Sequence, residues 1–228
     1  MTDLISVSDA NGVRTLRFNR LEKKNAITRA MYAALADGLE EANTRADIRV
    51  VIIAGGEGCF SAGNDMMDFM EAPPHIGGGE TPAVERFMIA LMGCEKPVIA
   101  AVDGLAVGIG TTLLLHCDLV YATNRALFTT PFVNLALAPE FGSSQILPGI
   151  VGRAVASEML LLGAKWDAKK AEAKNLINAV LPPDGFEAAV QEIAQQIAQL
   201  APGAVKTAKM LINLPPEDIN ERIVREGG

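Results

Sequence analysis

The stretch PVIAAVDGLAVGIGTTLLLHCDLVYATNRALFTTPFVNLALAPEFGSS, Pro97 to Ser144, decides the fold. It opens on an apolar strand, turns on glycines at 104, 108 and 110, enters an apolar helix and returns through two more strand-like runs before Pro131. Continuous apolar strands separated by helices are the pattern of a sheet covered on both faces. The stretch holds three carboxylates, Asp103, Asp118 and Glu140. Glu140 is set among Leu135, Ala136, Leu137, Ala138, Pro139 and Phe141. An acid in such company either lies exposed on a turn or has a task that needs a dry pocket, where its pKa would be raised.

Upstream, Leu4 to Val7 and Val13 to Phe18 alternate around Asn11-Gly12, which predicts a β-hairpin. Thr28 reads as the N-cap of a helix to about Asn43, with Met31, Ala34, Leu35, Leu39 and Ala42 on its core face. Arg49 to Ala54 reads as a strand buried on both faces. Gly55 to Asp65 reads as a glycine-punctuated loop, and Glu71 to Pro82 as a proline- and glycine-rich surface loop. A helix is expected over 83–92, followed by strand 97–102, helix 107–116 and strands 117–122 and 126–129. Beyond Ser143 the signals are helical, over 153–162, 168–175 and 185–200, with Pro182-Pro183 and Pro202-Gly203 as breakers. The expectation is an α/β chain with a sheet core over 1–185 and a helical C-terminal region over 186–228 in the same domain.

Composition narrows the function. The 228 residues carry a net charge of −7 and no basic block, which argues against nucleic-acid binding driven by phosphate neutralisation. Half the residues are hydrophobic, yet no run reaches the roughly 18 apolar residues of a membrane span. The opening MTDLISVSDANG lacks a basic start and an apolar signal core, so a cytoplasmic location is expected. Cys59, Cys94 and Cys117 have no CxxC spacing and fit reduced, idle thiols. His75 and His116 are the only histidines, too few for a zinc site at plausible spacing, and both read as structural.

Ser143-Ser144 lack a G-x-S-x-G turn, and Gly104, Gly108 and Gly110 do not make G-x-G-x-x-G, so hydrolase-triad and dinucleotide readings are weak. A glycine-rich strand-to-helix turn has another use, since its unpaired N–H groups meet developing negative charge. Phe60 to Asp65, FSAGND, is a second loop of this kind. Two such loops can each give one N–H to a single oxygen, although either taken alone reads first as a tight turn.

Several segments together resemble the crotonase (enoyl-CoA hydratase/isomerase) superfamily. They are NRLEKKNAI at Asn19–Ile27, FSAGND at Phe60–Asp65, KPVIAAVDGLAVGIG at Lys96–Gly110 and CDLVYAT at Cys117–Thr123. The resemblance implies the crotonase spiral of ββα units, an acyl-CoA thioester substrate, a homotrimer or hexamer, and no metal or redox cofactor, coenzyme A being part of the substrate. It implies an oxyanion hole from the backbone N–H groups of Asn64 and Ile109. Ala62, Gly63, Asn64, Asp65 and Met66 would line the thioester and pantetheine. Lys23 and Ala26 belong to the segment that holds coenzyme A, and Lys23 and Lys24 are also readable as plain surface lysines. Leu21 stands where the family commonly has proline, and the family usually extends beyond the helical stretch that ends here at Gly228.

Hydratases of the family use two glutamates, at the positions of Thr112 and Phe132 here, so the usual hydration route is disfavoured. The segment PFVNLALAPE, Pro131 to Glu140, resembles the peroxisomal-type Δ3,Δ2-enoyl-CoA isomerases, whose single catalytic glutamate falls at Glu140. Mitochondrial-type isomerases carry theirs at the position of Phe132. Without the resemblance Glu140 reads as an acid before a helix N-terminus. Other coenzyme A thioester chemistry on this scaffold, such as atypical hydration or ring isomerisation in aromatic-acid breakdown, and a non-catalytic acyl-CoA-binding role are the alternatives.

Overall fold

The alternating start folds as read: β1 (Ile5–Ala10) and β2 (Val13–Phe18) pair antiparallel across Asn11 and Gly12, both at positive φ. The computed structural model describes residues 4–73 and 81–227, so His75 and most of the expected 71–82 loop lie outside the described residues. Helix α1 (Arg29–Thr44) is capped by Thr28, whose hydroxyl accepts from the Met31 N–H. It buries Met31, Tyr32, Leu35, Ala36, Leu39 and Ala42. Next come β3 (Val50–Ala54), β4 (Cys59–Ser61), α2 (Met66–Glu71), α3 (Ala83–Met92), β5 (Val98–Val102) and β6 (Leu105–Val107). Then follow α4 (Ile109–Thr112), extended by a 3-10 turn over Leu113–His116, β7 (Leu119–Thr123) and β8 (Leu127–Thr129). The remainder is α5 (Ser143–Val151), α6 (Arg153–Leu162), β9 (Trp166–Asp167), α7 (Ala168–Ala173), β10 (Ala179–Leu181), α8 (Phe186–Ala198), α9 (Pro202–Asn213) and α10 (Ile219–Gly227).

Two sheets result. The larger runs β1-β2-β3-β5-β7-β10 and is parallel from β2 onward; the smaller runs β4-β6-β8-β9, with only β9 antiparallel. Strand β3 is followed at once by β4, β5 by β6 and β7 by β8, each pair dividing between the sheets before a helix. This is the expected spiral of ββα units. It explains the unbroken apolar strands: in β3, Val51 and Ile53 enter the core under α1 and α3, whereas Val50, Ile52 and Ala54 meet Phe186, Val190 and Ala194 of α8. Each such side chain contributes about 1.5–3 kcal/mol on full burial, so a polar substitution on either face of β3 would be costly.

The sequence reading differs from the fold at several places, and β9, β10 and α10 carried no expectation of their own. The 55–65 loop contains β4, and the helix expected over 107–116 starts two residues late, at Ile109, because Val107 ends β6 and Gly108 breaks the chain between them; α4 and its 3-10 turn cover the rest. Residues 66–71 form α2 because the Asp65 carboxylate accepts from the Met67 and Asp68 N–H groups, a cap the glycine-loop reading hid. Pro202 separates α8 from α9 as a breaker should, and it also starts α9, which was not expected, since a proline in the first turn has no intrahelical N–H to lose. Among the described residues no helix is long and apolar enough to cross a membrane.

Candidate active site

The ends of β4 and β6, parallel neighbours in the small sheet, bring the two glycine loops together. In the first loop the Ala62 N–H donates to the Lys24 carbonyl (2.9 Å), the Gly63 N–H to Ser61 Oγ (3.1 Å) and the Asp65 N–H to the Ile27 carbonyl (2.9 Å). The Ile27 N–H in turn donates to the Gly63 carbonyl (2.8 Å). Among the described residues the Asn64 N–H has no acceptor. In the second loop the Gly108 N–H goes to the Thr129 carbonyl (2.9 Å), and the Thr111 and Thr112 N–H groups return to the Gly108 carbonyl. Ile109 is the first residue of α4, and its N–H likewise has no acceptor among the described residues.

Two glycines permit this approach. Gly63 has φ +89°, and a Cβ there would lie 2.8 Å from the Val107 carbonyl oxygen. A Cβ on Gly110 would lie 2.9 Å from the Ser61 carbonyl oxygen. Either side chain would wedge one loop off the other.

A cavity of about 920 Å³ opens beside the first loop. Asn64, Asp65 and Glu140 of the expected site line it; Ala62, Gly63, Met66, Ile109, Lys23 and Ala26 do not. The Ile109 side chain is buried in the core, Met66 is exposed on α2, and Lys23 is exposed on a one-turn 3-10 helix. The Asp65 carboxylate is taken up locally. Arg20 grips it at 2.6 Å, and that ion pair together with the helix N–H bonds holds its carboxyl below the usual range. Arg20 also donates to the Ala26 carbonyl (2.8 Å), fixing the 20–27 segment against the loop.

Glu140 follows the turn after the 3-10 helix Val133–Leu135, one residue before Phe141. Its Oε1 is buried and has no hydrogen-bond partner among the described residues, and burial pushes the carboxyl from 4.5 up to about 7. It therefore does not serve α5 as a cap, the alternative reading. The raised pKa was expected from the apolar neighbours, and the structure divides them: Leu135 and Leu137 are exposed, whereas Phe141 is buried and, with Pro139, lines the cavity beside Glu140. His116 supports the turn: its Nε2–H donates to the Phe141 carbonyl (2.8 Å), and its ring stacks on Phe141 at 3.8 Å. Burial lowers the His116 pKa, which favours the neutral ring.

The positions of the two hydratase glutamates hold no ionisable group. Thr112 is fully buried with its Oγ1 unpartnered among the described residues, and Phe132 is buried with its ring beside Gly108. Among the described residues no group of three or more His, Cys, Asp or Glu side chains is placed to hold a metal ion.

Sequence reasoning missed Tyr32. It lines the cavity, is almost fully buried, and its hydroxyl donates to Asn64 Oδ1. Burial and the nearby carboxylates of Glu140 and Asp68 push its phenol well above the usual value. In the sequence it is one more residue on the apolar face of a helix, and nothing there marks it. Arg20 was within the Asn19–Ile27 motif, but its partner Asp65 is 45 residues away.

Paired glycine loops on a ββα spiral, with an acid in the adjoining cavity, define a crotonase-type α/β protein. The chain belongs to the enoyl-CoA hydratase/isomerase family, whose model matches residues 8–225. It is 38% identical over 214 residues to rat enoyl-CoA delta isomerase 2, covering 91% of this chain and 54% of the rat protein. It thus spans about half the length of that relative. It is also 33% identical to the 2,3-dehydroadipyl-CoA hydratase of Escherichia coli, covering 95% of this chain and 84% of the hydratase. Among solved structures, a putative enoyl-CoA hydratase/carnithine racemase from Magnetospirillum magneticum superposes with a TM-score of 0.95 at 41% identity, covering 100% of this chain and 88% of the other.

Proposed function

We propose that this protein moves the double bond of a 3-enoyl-CoA to give the trans-2-enoyl-CoA, with Glu140 as the single acid-base group. The observation that carries the reading is the buried, unpartnered Oε1 of Glu140 on the same cavity as Asn64. The carboxylate takes a proton from C2. The released electron pair forms a dienolate whose charge rests on the thioester oxygen, and the Asn64 and Ile109 N–H groups donate to it. The same carboxyl then returns a proton to C4, the dienolate electrons close the C2–C3 double bond, and Glu140 is an anion again. No metal or redox partner enters this balance. A carboxyl pKa near 7 suits a group that must both take and give a proton near neutral pH. Each lost oxyanion donor would cost about 3–4 kcal/mol in the transition state.

Coenzyme A would lie along the 19–27 segment, with Lys23 and Lys24 within its reach for phosphate contact. Apolar side chains of α3, Val84, Met88, Ile89 and Met92, line the cavity where an acyl chain would sit. A homotrimer or hexamer is supported by Leu135, Leu137, Leu161 and Leu162. All four are exposed, where α6 abuts the 3-10 turn of residues 133–135.

The test is turnover of 3-hexenoyl-CoA by wild type and Glu140→Gln. Loss of turnover in the variant supports the reading; full turnover sinks it. Incubating the wild type with crotonyl-CoA addresses hydration, the activity named for the E. coli relative. Rapid formation of 3-hydroxybutyryl-CoA would replace the single-base reading, since Thr112 and Phe132 supply no second acid.

A further inference from the structure

The loop between β4 and α2 leaves one N–H without an acceptor among the described residues, that of Asn64, and its surroundings keep it so. On either side, the peptide groups of Gly63 and Asp65 are bound by the backbone of Ile27. Ile27 runs through the Thr28 cap directly into α1, and one turn along α1 stands Tyr32, with its own N–H on the Thr28 carbonyl (3.0 Å). The Tyr32 hydroxyl donates to Asn64 Oδ1. The short segment from Ile27 to Tyr32 therefore holds the flanking peptides and the side chain of the same residue.

The tyrosine is itself immobilised. It is 3% exposed, and its ring packs on Phe87 at 5.5 Å; Phe87 lies 6.3 Å from Phe141, the residue after Glu140. The hydroxyl shares the cavity with Glu140 but donates to Asn64 instead. That choice has two consequences. The Asn64 side chain cannot rotate without breaking this part-buried hydrogen bond, and the Glu140 carboxylate keeps an oxygen with no donor, as a base requires.

We propose that Tyr32 is a positioning residue for the oxyanion hole: its hydroxyl ties Asn64 to α1, so that the Asn64 N–H stays directed at the thioester oxygen. This rests on the reading of Asn64 and Ile109 as oxyanion donors. Tyr32 does not touch the reacting carbons; it acts through Asn64. A core tyrosine with a merely structural role would affect melting, and would be indifferent to whether Asn64 carries an acceptor.

The experiment uses Tyr32→Phe, which keeps the ring and removes only the hydroxyl, together with Asn64→Ala, which keeps the N–H and removes the acceptor. With 3-hexenoyl-CoA, Tyr32→Phe should lower kcat roughly three- to tenfold, the value of one hydrogen bond, with KM within about twofold. The apparent pKa of the pH–rate profile should stay at the wild-type value, because Glu140 is untouched. Asn64→Ala should cause a similar loss, and the double variant should lose no more than either single one. The second readout is independent of turnover: acetoacetyl-CoA bound in an oxyanion hole ionises, and its enolate absorbance should fall in both single variants.

The proposal is overturned if Tyr32→Phe changes only the melting temperature, if its kinetic loss persists undiminished in the Asn64→Ala background, or if the enolate band is unchanged. Should Tyr32→Phe not fold, Asn64→Ala breaks the same bond from the other end and carries the same expectations for kcat and the enolate band. If the wild type fails to turn over 3-hexenoyl-CoA yet ionises acetoacetyl-CoA, the isomerase reading falls and the enolate comparison still decides on Tyr32. If the wild type does neither, the oxyanion hole and Tyr32's place in it fall together.

Discussion

Replacing Glu140 by glutamine should remove the activity and at the same time stabilise the protein above neutral pH. The fold disfavours the Glu140 anion, because its Oε1 is buried without a donor and the carboxyl is pushed from 4.5 up to about 7. Between those two values the folded protein binds a proton at this site that the unfolded chain has lost. Stability therefore falls as pH rises through the window and is level on either side. The gap from 4.5 to about 7 corresponds to about 3 kcal/mol at about 1.4 kcal/mol per pH unit. This is a ceiling, since Glu140 is only part-buried as a residue and its cavity meets solvent.

Glutamine has the same shape and no titration. Its own burial adds an offset between the two proteins that does not depend on pH. The informative quantity is thus the difference in unfolding free energy between wild type and Glu140→Gln, measured below pH 4.5 and again above pH 7. Relative to the acid end, the variant should gain about 2–3 kcal/mol at the alkaline end. For a chain of this size that is about 4–12 °C in Tm, at about 2–4 °C per kcal/mol. Urea unfolding at a fixed protein concentration, with equal m-values, is the assay, because association would otherwise shift the midpoints. Parallel stability curves for the two proteins across the window would refute the argument. They would mean that Glu140 titrates as an ordinary exposed acid, and the case for a tuned base would go with it.

Three further outcomes follow from the site. The kcat/KM of the wild type should rise with pH along an acid limb centred near pH 7, where Glu140 loses its proton, and a limb centred near 4.5 would contradict this. Gly63→Ala should destabilise by about 1–3 kcal/mol in chemical unfolding, because its φ of +89° is strained for alanine and the new Cβ meets the Val107 carbonyl; it should also impair turnover by parting the two loops. Arg20→Met should cost about 1–3 kcal/mol and raise KM for acyl-CoA, since Asp65 loses its charged partner and the 20–27 segment its tether; unchanged Tm and KM would count against that role.

The sequence carried the long elements because their signals are local. Thr28 before an apolar helical face marks α1, and five successive apolar residues mark β3 and β5. The small sheet was not legible for the same reason. Strands β4 and β6 have three residues each, too few to display a period, and they sit inside glycine-rich runs that read as turns. Their pairing is nonetheless what joins the two loops, so the site depends on the least legible strands of the fold. Thr112 and Phe132 were legible as absences of acid only through family resemblance. Tyr32 was not legible at all, because a phenol on an apolar helix face is indistinguishable from core until its hydroxyl is seen to meet Asn64.

Glu140 shows most clearly how local reading and tertiary structure divide the explanation. Its sequence neighbours suggested an apolar setting, yet Val133 to Ala138 are exposed, and Pro139 and Phe141 line its cavity. The rest of the enclosure comes from Tyr32, His116 and the α3 face, far along the chain. The same enclosure withholds a hydrogen-bond donor from Oε1, since the Tyr32 hydroxyl is committed to Asn64 and the His116 Nε2–H to Phe141. A carboxylate kept dry and undonated is a stronger base than one merely buried, because a donated hydrogen bond would stabilise the anion and lower its pKa. With neutral side chains at 112 and 132, the positions of the two hydratase glutamates hold no acid to orient a water, and on the same cavity Asp65 is held by Arg20 and Asp68 by Arg29. In the proposed reaction this arrangement would transfer one proton between two carbons of a bound thioester.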